Sequence, residues 1–168
     1  MQNYNTLYHK SDTREVTIYQ YWSLILFLIT IVCLSLLPAV FVHAKEVGNN
    51  SLYYKGLILD KLGNDTGAIQ YFDKALAIDP HYINALASKG LALDKLGNYT
   101  GAIQYFDKAL AIQPNDTYLL DITGMALNKL GNYTGAIQYF DKALAIDPND
   151  EAALYNKNNS FDHLDRLT

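Results

Sequence analysis

The tightest constraint on what this chain can fold into is its self-similarity. The run KLGNYTGAIQYFDKALAI stands at Lys95 to Ile112 and again at Lys129 to Ile146, and a third copy, KLGNDTGAIQYFDKALAI, runs from Lys61 to Ile78, a period of 34 residues. A tandem unit of this length must bury its apolar face on its neighbours. That predicts a solenoid rather than one globular core.

Inside one unit, Leu86, Gly90, Leu93 and Leu96 recur at spacings of three and four, the stripe of a first helix, which Gly97 can end in a left-handed cap. A second stripe, Ala102, Ile103, Phe106, Ala109, Leu110 and Ile112, ends at Pro114, which cannot continue a helix. Each unit is therefore a helical hairpin. Gly90 and Ala102 let the two helices approach, and Phe106 is expected to fill the space toward the next pair.

These residues resemble the tetratricopeptide repeat. Its signature of Leu and Gly on the first helix, then Ala, Phe, Ala and Pro, is met by Leu52, Gly56, Leu59, Ala68, Phe72, Ala75 and Pro80. The second copy has Leu86, Gly90, Leu93, Ala102, Phe106, Ala109 and Pro114, and the third Leu120, Gly124, Leu127, Ala136, Phe140, Ala143 and Pro148. Lys55, Lys89 and Thr123 depart from it where the signature has Leu before Gly. The resemblance implies an all-α fold, a right-handed α-solenoid of three hairpins over 49–82, 83–116 and 117–150. Residues 151–168 follow as a capping helix, with Leu154, Phe161 and Leu164 as its apolar face, Asn158 in place of the Gly, and a polar outer side suited to an open solenoid end.

Thr66-Gly67, Thr100-Gly101 and Thr134-Gly135 stand where the family carries acidic residues that complement a helix N-terminus. Glycine inside a helix costs about 1 kcal/mol relative to alanine, so each second helix is expected to begin late or fray. The alternative is that Asn98 and Thr100, with their equivalents, cap it.

Ahead of the repeats, Trp22 to Val42 carries no charged side chain and is long enough to cross about 30 Å of hydrocarbon as a helix. Residues 21–44 thus read as a transmembrane or signal helix behind a polar tail over 1–20. Pro38 is expected to break the helix, and Val42-His43-Ala44 offers a cleavage site before Lys45. A retained single-pass anchor and secretion after cleavage near Ala44 both stay open. Lys10 and Arg14 before the segment are balanced by Lys45 and Lys55 after it, so charge does not orient it. Asn-x-Ser/Thr acceptors at Asn49, Asn64, Asn98, Asn115, Asn132 and Asn158 all follow the segment, which favours an extracytoplasmic, glycosylatable solenoid.

The formal charge of −4 gives no broad basic face, which argues against nucleic acid as a partner. Cys33 is the only cysteine and lies in the apolar segment, excluding an intramolecular disulfide or thiolate cluster. His9, His43, His81 and His163 have no ligand spacing, and no phosphate-binding glycine loop occurs. Asp73, Asp107 and Asp141 neighbour Lys74, Lys108 and Lys142, the pattern of a solvated helix face. No enzyme, cofactor, metal or small-molecule substrate is expected.

In the family, first helices line a concave groove for a peptide, so binding is expected where the copies differ. Second helices are nearly identical, whereas first helices diverge as SLYYKGLILD, ALASKGLALD and YLLDITGMALN. The implied groove carries Tyr53, Tyr54, Leu57 and Asp60, then Asn84, Ser88, Leu91 and Asp94, then Tyr118, Asp121, Ile122, Met125 and Asn128. A peptide with apolar anchors and a basic residue fits such a surface. The alternative is that Leu57, Leu91 and Met125 pack internally. The clamp by which some members hold acidic chaperone tails is absent, its positions being Tyr53, Leu57, Ser88, Tyr118 and Ile122 here. Two functions remain: a scaffold binding a partner protein's peptide, or a structural protein whose units self-associate end to end.

Overall fold

The computed structural model describes residues 5–166, which form helices joined by short turns, with no strand among them. The first four residues of the polar tail, and Leu167 and Thr168 at the end of the capping helix, lie outside the described residues. The chain divides into two compact units between Glu46 and Val47.

In the first unit the backbone is helical from Asn5, as part of α1 (Asn5–Lys61), so the helix takes in most of the polar tail. The helix runs through Pro38, contrary to the expected break. Proline removes only the one hydrogen bond to the carbonyl four residues before it, and an apolar helix tolerates that loss. Thr30 and Ser35 fold their hydroxyls back onto the carbonyls of Phe27 (2.7 Å) and Val32 (2.8 Å). That satisfies the only hydroxyls between Trp22 and Val42 apart from Ser23. The large apolar side chains described along this stretch are exposed, and the helix is long and apolar enough to cross a membrane.

In the second unit the C-terminal part of α1 pairs with α2 (Asp65–Ile78). Then α3 (Ile83–Lys95) pairs with α4 (Tyr99–Ile112), and α5 (Thr117–Lys129) with α6 (Tyr133–Ile146), and α7 (Glu151–Asp165) closes the stack. Each turn inside a pair is built the same way. Gly63, Gly97 and Gly131 take φ of 77°, 78° and 81°, and the next Asn returns its N–H to a carbonyl of the first helix, as Asn98 does to Leu93 at 2.9 Å. The same Asn then caps the second helix. Its Oδ1 accepts the N–H of Gly67, Gly101 or Gly135 at 2.9, 2.9 and 3.0 Å.

The second helices therefore begin at once, not late, and it is Asn rather than Thr that caps them. The glycine is part of the device: a Cβ at Gly67 or Gly101 would stand 2.7 Å from the capping amide.

Phe72, Phe106 and Phe140 are fully buried, and their rings lie on Gly56, Gly90 and Gly124 of their own pairs, while Phe72 shares a core cluster with Ala92, and Phe106 with Leu119, of the following pair. A Cβ would stand 2.5 Å from the Phe72 ring at Gly56 and 2.6 Å from the Phe140 ring at Gly124. Ala102, Ala109, Leu119, Leu120 and Ala126 continue the core from pair to pair.

The capping helix corrects a further expectation. Its buried residues are Ala153 and Ser160, while Leu154 and Phe161 are 42% and 43% exposed. The face turned to α6 is set by the repeat register, in which Ala85 and Ala92 of α3 are the equivalents of Ala153 and Ser160. Leu154 and Phe161 occupy the register positions of Leu86 and Leu93, which in α3 are turned to the second helix of their own pair.

Candidate functional site

Whatever the shared residues build, the positions that differ between first helices decide what the solenoid meets. Among the expected groove residues, Tyr54 (61%) and Tyr118 (57%) are well exposed, as are Asn84 and Met125. Leu57 and Leu91 are half-buried against the core clusters, so they pack internally while Met125 does not. Ile122, 8% exposed, belongs to the main core cluster and is withdrawn from the groove, because its position faces the preceding pair. Tyr53 sits in an aromatic nest, 5.2 Å from Tyr82 edge-on and 6.0 Å from Phe72, with Tyr82 donating to Asn50 Oδ1 at 2.9 Å. Its first duty is packing.

The acidic groups of this face are largely spoken for. Lys95 Nζ lies 2.6 Å from Asp60, and Lys129 Nζ lies 2.5 Å from Asp94, each linking one first helix to the next. The hydrogen bond to Asp60, against a smaller desolvation effect, holds the Lys95 ammonium above its ordinary pKa. Asp121 has no such cation. Burial, then the charge of Asp150 and a hydrogen bond with it, push its carboxyl up from 3.8 to about 6. Asp150 is itself engaged, accepting the N–H groups of Ala152 and Ala153 at the start of α7. The half-buried Ser88 and the amide of Asn128, bonded by the Ser160 hydroxyl at 2.9 Å, complete the residues expected from the sequence.

Sequence reasoning missed Lys95, Lys129, Tyr133, Asn156, Asn159 and His163. Met125, Asn128 and these last five residues line one cavity of about 280 Å³ between α5, α6 and α7. The recurrence of Asp-Lys at a separation of 35 residues was the available signal for the lysines.

The signature departure at Lys89 is also explained. Lys89 is buried, pairs with Asp73 of the preceding second helix, and donates to the Tyr105 hydroxyl at 2.6 Å. Burial works to lower its pKa, but these two hydrogen bonds and the charge interactions with the same partners together outweigh it, and the ammonium is held above its ordinary value. Lys157 reaches Asp141 in the same way, at 2.6 Å. Where Thr123 replaces the lysine, the Tyr139 hydroxyl donates directly to Asp107 at 2.8 Å, and burial together with that bond pushes Tyr139 up to about 12.

The glycan-acceptor asparagines are sorted by the same geometry. Asn49 is buried, and Asn64, Asn98 and Asn132 are caps. Asn158 is exposed, but Ser160, the hydroxyl residue of its motif, is fully buried in α7; of these asparagines Asn115 alone is an exposed loop residue outside any helix and cap. Among the described residues no three His, Cys, Asp or Glu side chains converge as metal ligands.

Comparison with known proteins agrees with this geometry. The first repeat domain of Spaghetti (RPAP3), solved bound to an HSP90 peptide, superposes with a TM-score of 0.67 at 21% identity, over 70% of this chain and 93% of that one. The Sgt2 domain from Aspergillus fumigatus gives 0.66 at 18% identity, over 71% and 80%. MamA gives 0.66 at 19%, over 73% and 67%. No curated protein sequence matches the chain. The tetratricopeptide repeat profile matches residues 50–82, 83–116 and 124–150, more than half of the sequence, and the chain belongs to the tetratricopeptide repeat family.

Proposed function

We propose that this protein is a non-enzymatic scaffold that binds a peptide segment of another protein along its first helices, and that its apolar segment tethers or exports it. One observation carries the binding reading. Second helices expose no large apolar residue except Ile112 and Ile146 at their ends, whereas first helices expose Tyr54, Tyr118 and Met125 at positions that differ between units. Uniform helices make the frame; variable, exposed ones carry recognition. The RPAP3 domain bound to an HSP90 peptide supports the use of this fold for a peptide ligand. Because Asp60 and Asp94 are already paired, apolar contact with tyrosine and methionine dominates the expected ligand preference.

The test is selection from a displayed peptide library on the full chain in detergent micelles, comparing wild type with Tyr54→Ala plus Tyr118→Ala. Recovery of the same peptides with equal affinity by the double variant would show that another face binds. Tethering is tested by alkaline extraction and by the mass of the mature N-terminus, and export by protease accessibility of the repeats in intact cells. Repeats protected until the membrane is opened would overturn export.

A second reading, end-to-end self-association, is favoured by the apolar residues left uncovered at both ends of the stack, Ile58 at one and Leu154 and Phe161 at the other. Sedimentation across concentration decides it. A mass that stays monomeric, and does not change with Phe161→Ser, removes this reading.

A further inference from the structure

Repeat register allows three junctions between successive first helices to be compared within one molecule. At the first, Lys95 meets Asp60; at the second, Lys129 meets Asp94 and also lies over the Tyr99 ring, 5.6 Å from its centroid. At the third, the equivalent positions hold Asn128 and His163. His163 stacks on Tyr133, the equivalent of Tyr99, with centroids 4.9 Å apart and planes at 5°. A side chain lying on the tyrosine ring is kept, and the carboxylate is replaced by the Asn128 amide. At that spot the cavity of about 280 Å³ opens, lined by the amides of Asn128, Asn156 and Asn159, by His163 and by Lys129, with no acidic residue in its wall.

We infer that this cavity is a subsite for a single carboxylate carried by the peptide that lies on the first helices; the inference deepens the peptide-binding reading and rests on it. The missing Asp is the group that the two sister junctions supply from within, so an external carboxylate restores the same pairing. Asn128 Oδ1 accepts from the Ser160 hydroxyl, which leaves its NH₂ to donate. His163 offers an N–H donor in either of its states, and Lys129 is held by Asp94. The site thus has many planar donors and little surplus charge, which suits a monoanion better than a phosphate dianion. Its volume falls below the roughly 300–1,000 Å³ of sites that enclose whole small molecules, and suits a chain end or one acidic side chain. None of its residues is a position of the chaperone-tail clamp.

The experiment uses the full chain in micelles, ¹⁵N-labelled, with side-chain amide and imidazole resonances as the readout. The probes are N-acetyl-glycyl-aspartate amide, N-acetyl-glycyl-asparagine with a free terminus, N-acetyl-glycyl-asparagine amide, and inorganic phosphate. The expected result is saturable shifts at Asn128, Asn159 and His163 with a carboxylate probe and none with the amide. Whichever carboxylate binds tighter identifies an acidic side chain or a chain terminus as the source. Asn128→Asp rebuilds the acid of the other junctions and should weaken binding by about tenfold or more; Asn159→Leu, from an exposed position, provides a second variant should the first fail to fold.

Absence of shifts, equal response to phosphate, or unchanged affinity in both variants overturns the subsite. If that happens while peptide capture still depends on Tyr118, the groove reading stands alone. Carboxylate binding with capture indifferent to Tyr54 and Tyr118 overturns the peptide-borne source instead.

Discussion

The second helices α2, α4 and α6 and the first helices they pair with solve opposite problems with the same chain. Each second helix starts on an asparagine cap, lays one phenylalanine on a glycine and ends before a proline, in three near-copies. First helices share the glycine, the leucines at Leu52, Leu86 and Leu120 and at Leu59, Leu93 and Leu127, and a closing Lys-Leu, and vary at most other positions. Even their starts differ: α5 and α7 are capped by Asp116 and Asp150, whereas α3 has no side-chain cap. A solenoid is held by nearest-neighbour contacts, so identity is needed where units touch and is free to lapse where they face outward.

The largest blow to that division should come from the frame. Gly90→Ala drives a methyl into the Phe106 ring and should cost about 1–3 kcal/mol of unfolding free energy in denaturant titration. An exposed first-helix change such as Asn84→Ala should cost almost nothing. Equal losses from the two would erase the distinction between frame and face.

Next in size is Lys89, a first-helix residue recruited into the frame. Lys89→Ala leaves the half-exposed Asp73 to solvent but removes the buried aliphatic stem and the bond to Tyr105, for about 1–2 kcal/mol. Lys89→Thr copies the third unit, where tyrosine reaches the aspartate unaided, and should cost measurably less.

Asp121→Asn should act with the opposite sign, and with pH. A carboxyl raised to about 6 in the fold favours the protonated state, so stability falls as pH rises from about 4 to about 6 and stays lower above that. The variant should therefore be more stable by about 1 kcal/mol above that window and equal to wild type below it. A difference constant with pH would mean that the Asp121 charge is not the cause. Smallest of all, Asp94→Asn gives the second junction the acid-free state of the third. It should shift stability by only about 0.5 kcal/mol, because the pair is partly exposed.

Most of the frame was legible in the sequence because its devices are local or periodic. The 34-residue spacing, the glycine opposite the phenylalanine and the left-handed glycine before asparagine each have one physical solution. Two kinds of feature were not legible. Leu154 and Phe161 look like a buried stripe on hydropathy alone, yet α7 turns Ala153 and Ser160 inward. Extrapolating the register of Ala85 and Ala92, rather than seeking apolar residues, gives the observed face. The polar lining between α5 and α7 escaped for a different reason: it joins residues that vary between units and comes together only by stacking. Thr-Gly, which reads as a weak helix start, turned out to be shaped by the asparagine cap lying over it.

The way α7 is attached has a consequence for how the stack comes apart. Its fully buried anchors are one alanine and one serine, supplemented by Ser160 on Asn128, Lys157 on Asp141 and His163 on Tyr133. Inner helices are clamped by whole phenylalanine and leucine side chains. Protection against amide exchange should therefore decline toward the C-terminal end, with α7 opening before the rest in a sub-global step. The residues around the acid-free cavity then sit at the more yielding end of the repeat stack, and an occupant there would tighten that end as it binds.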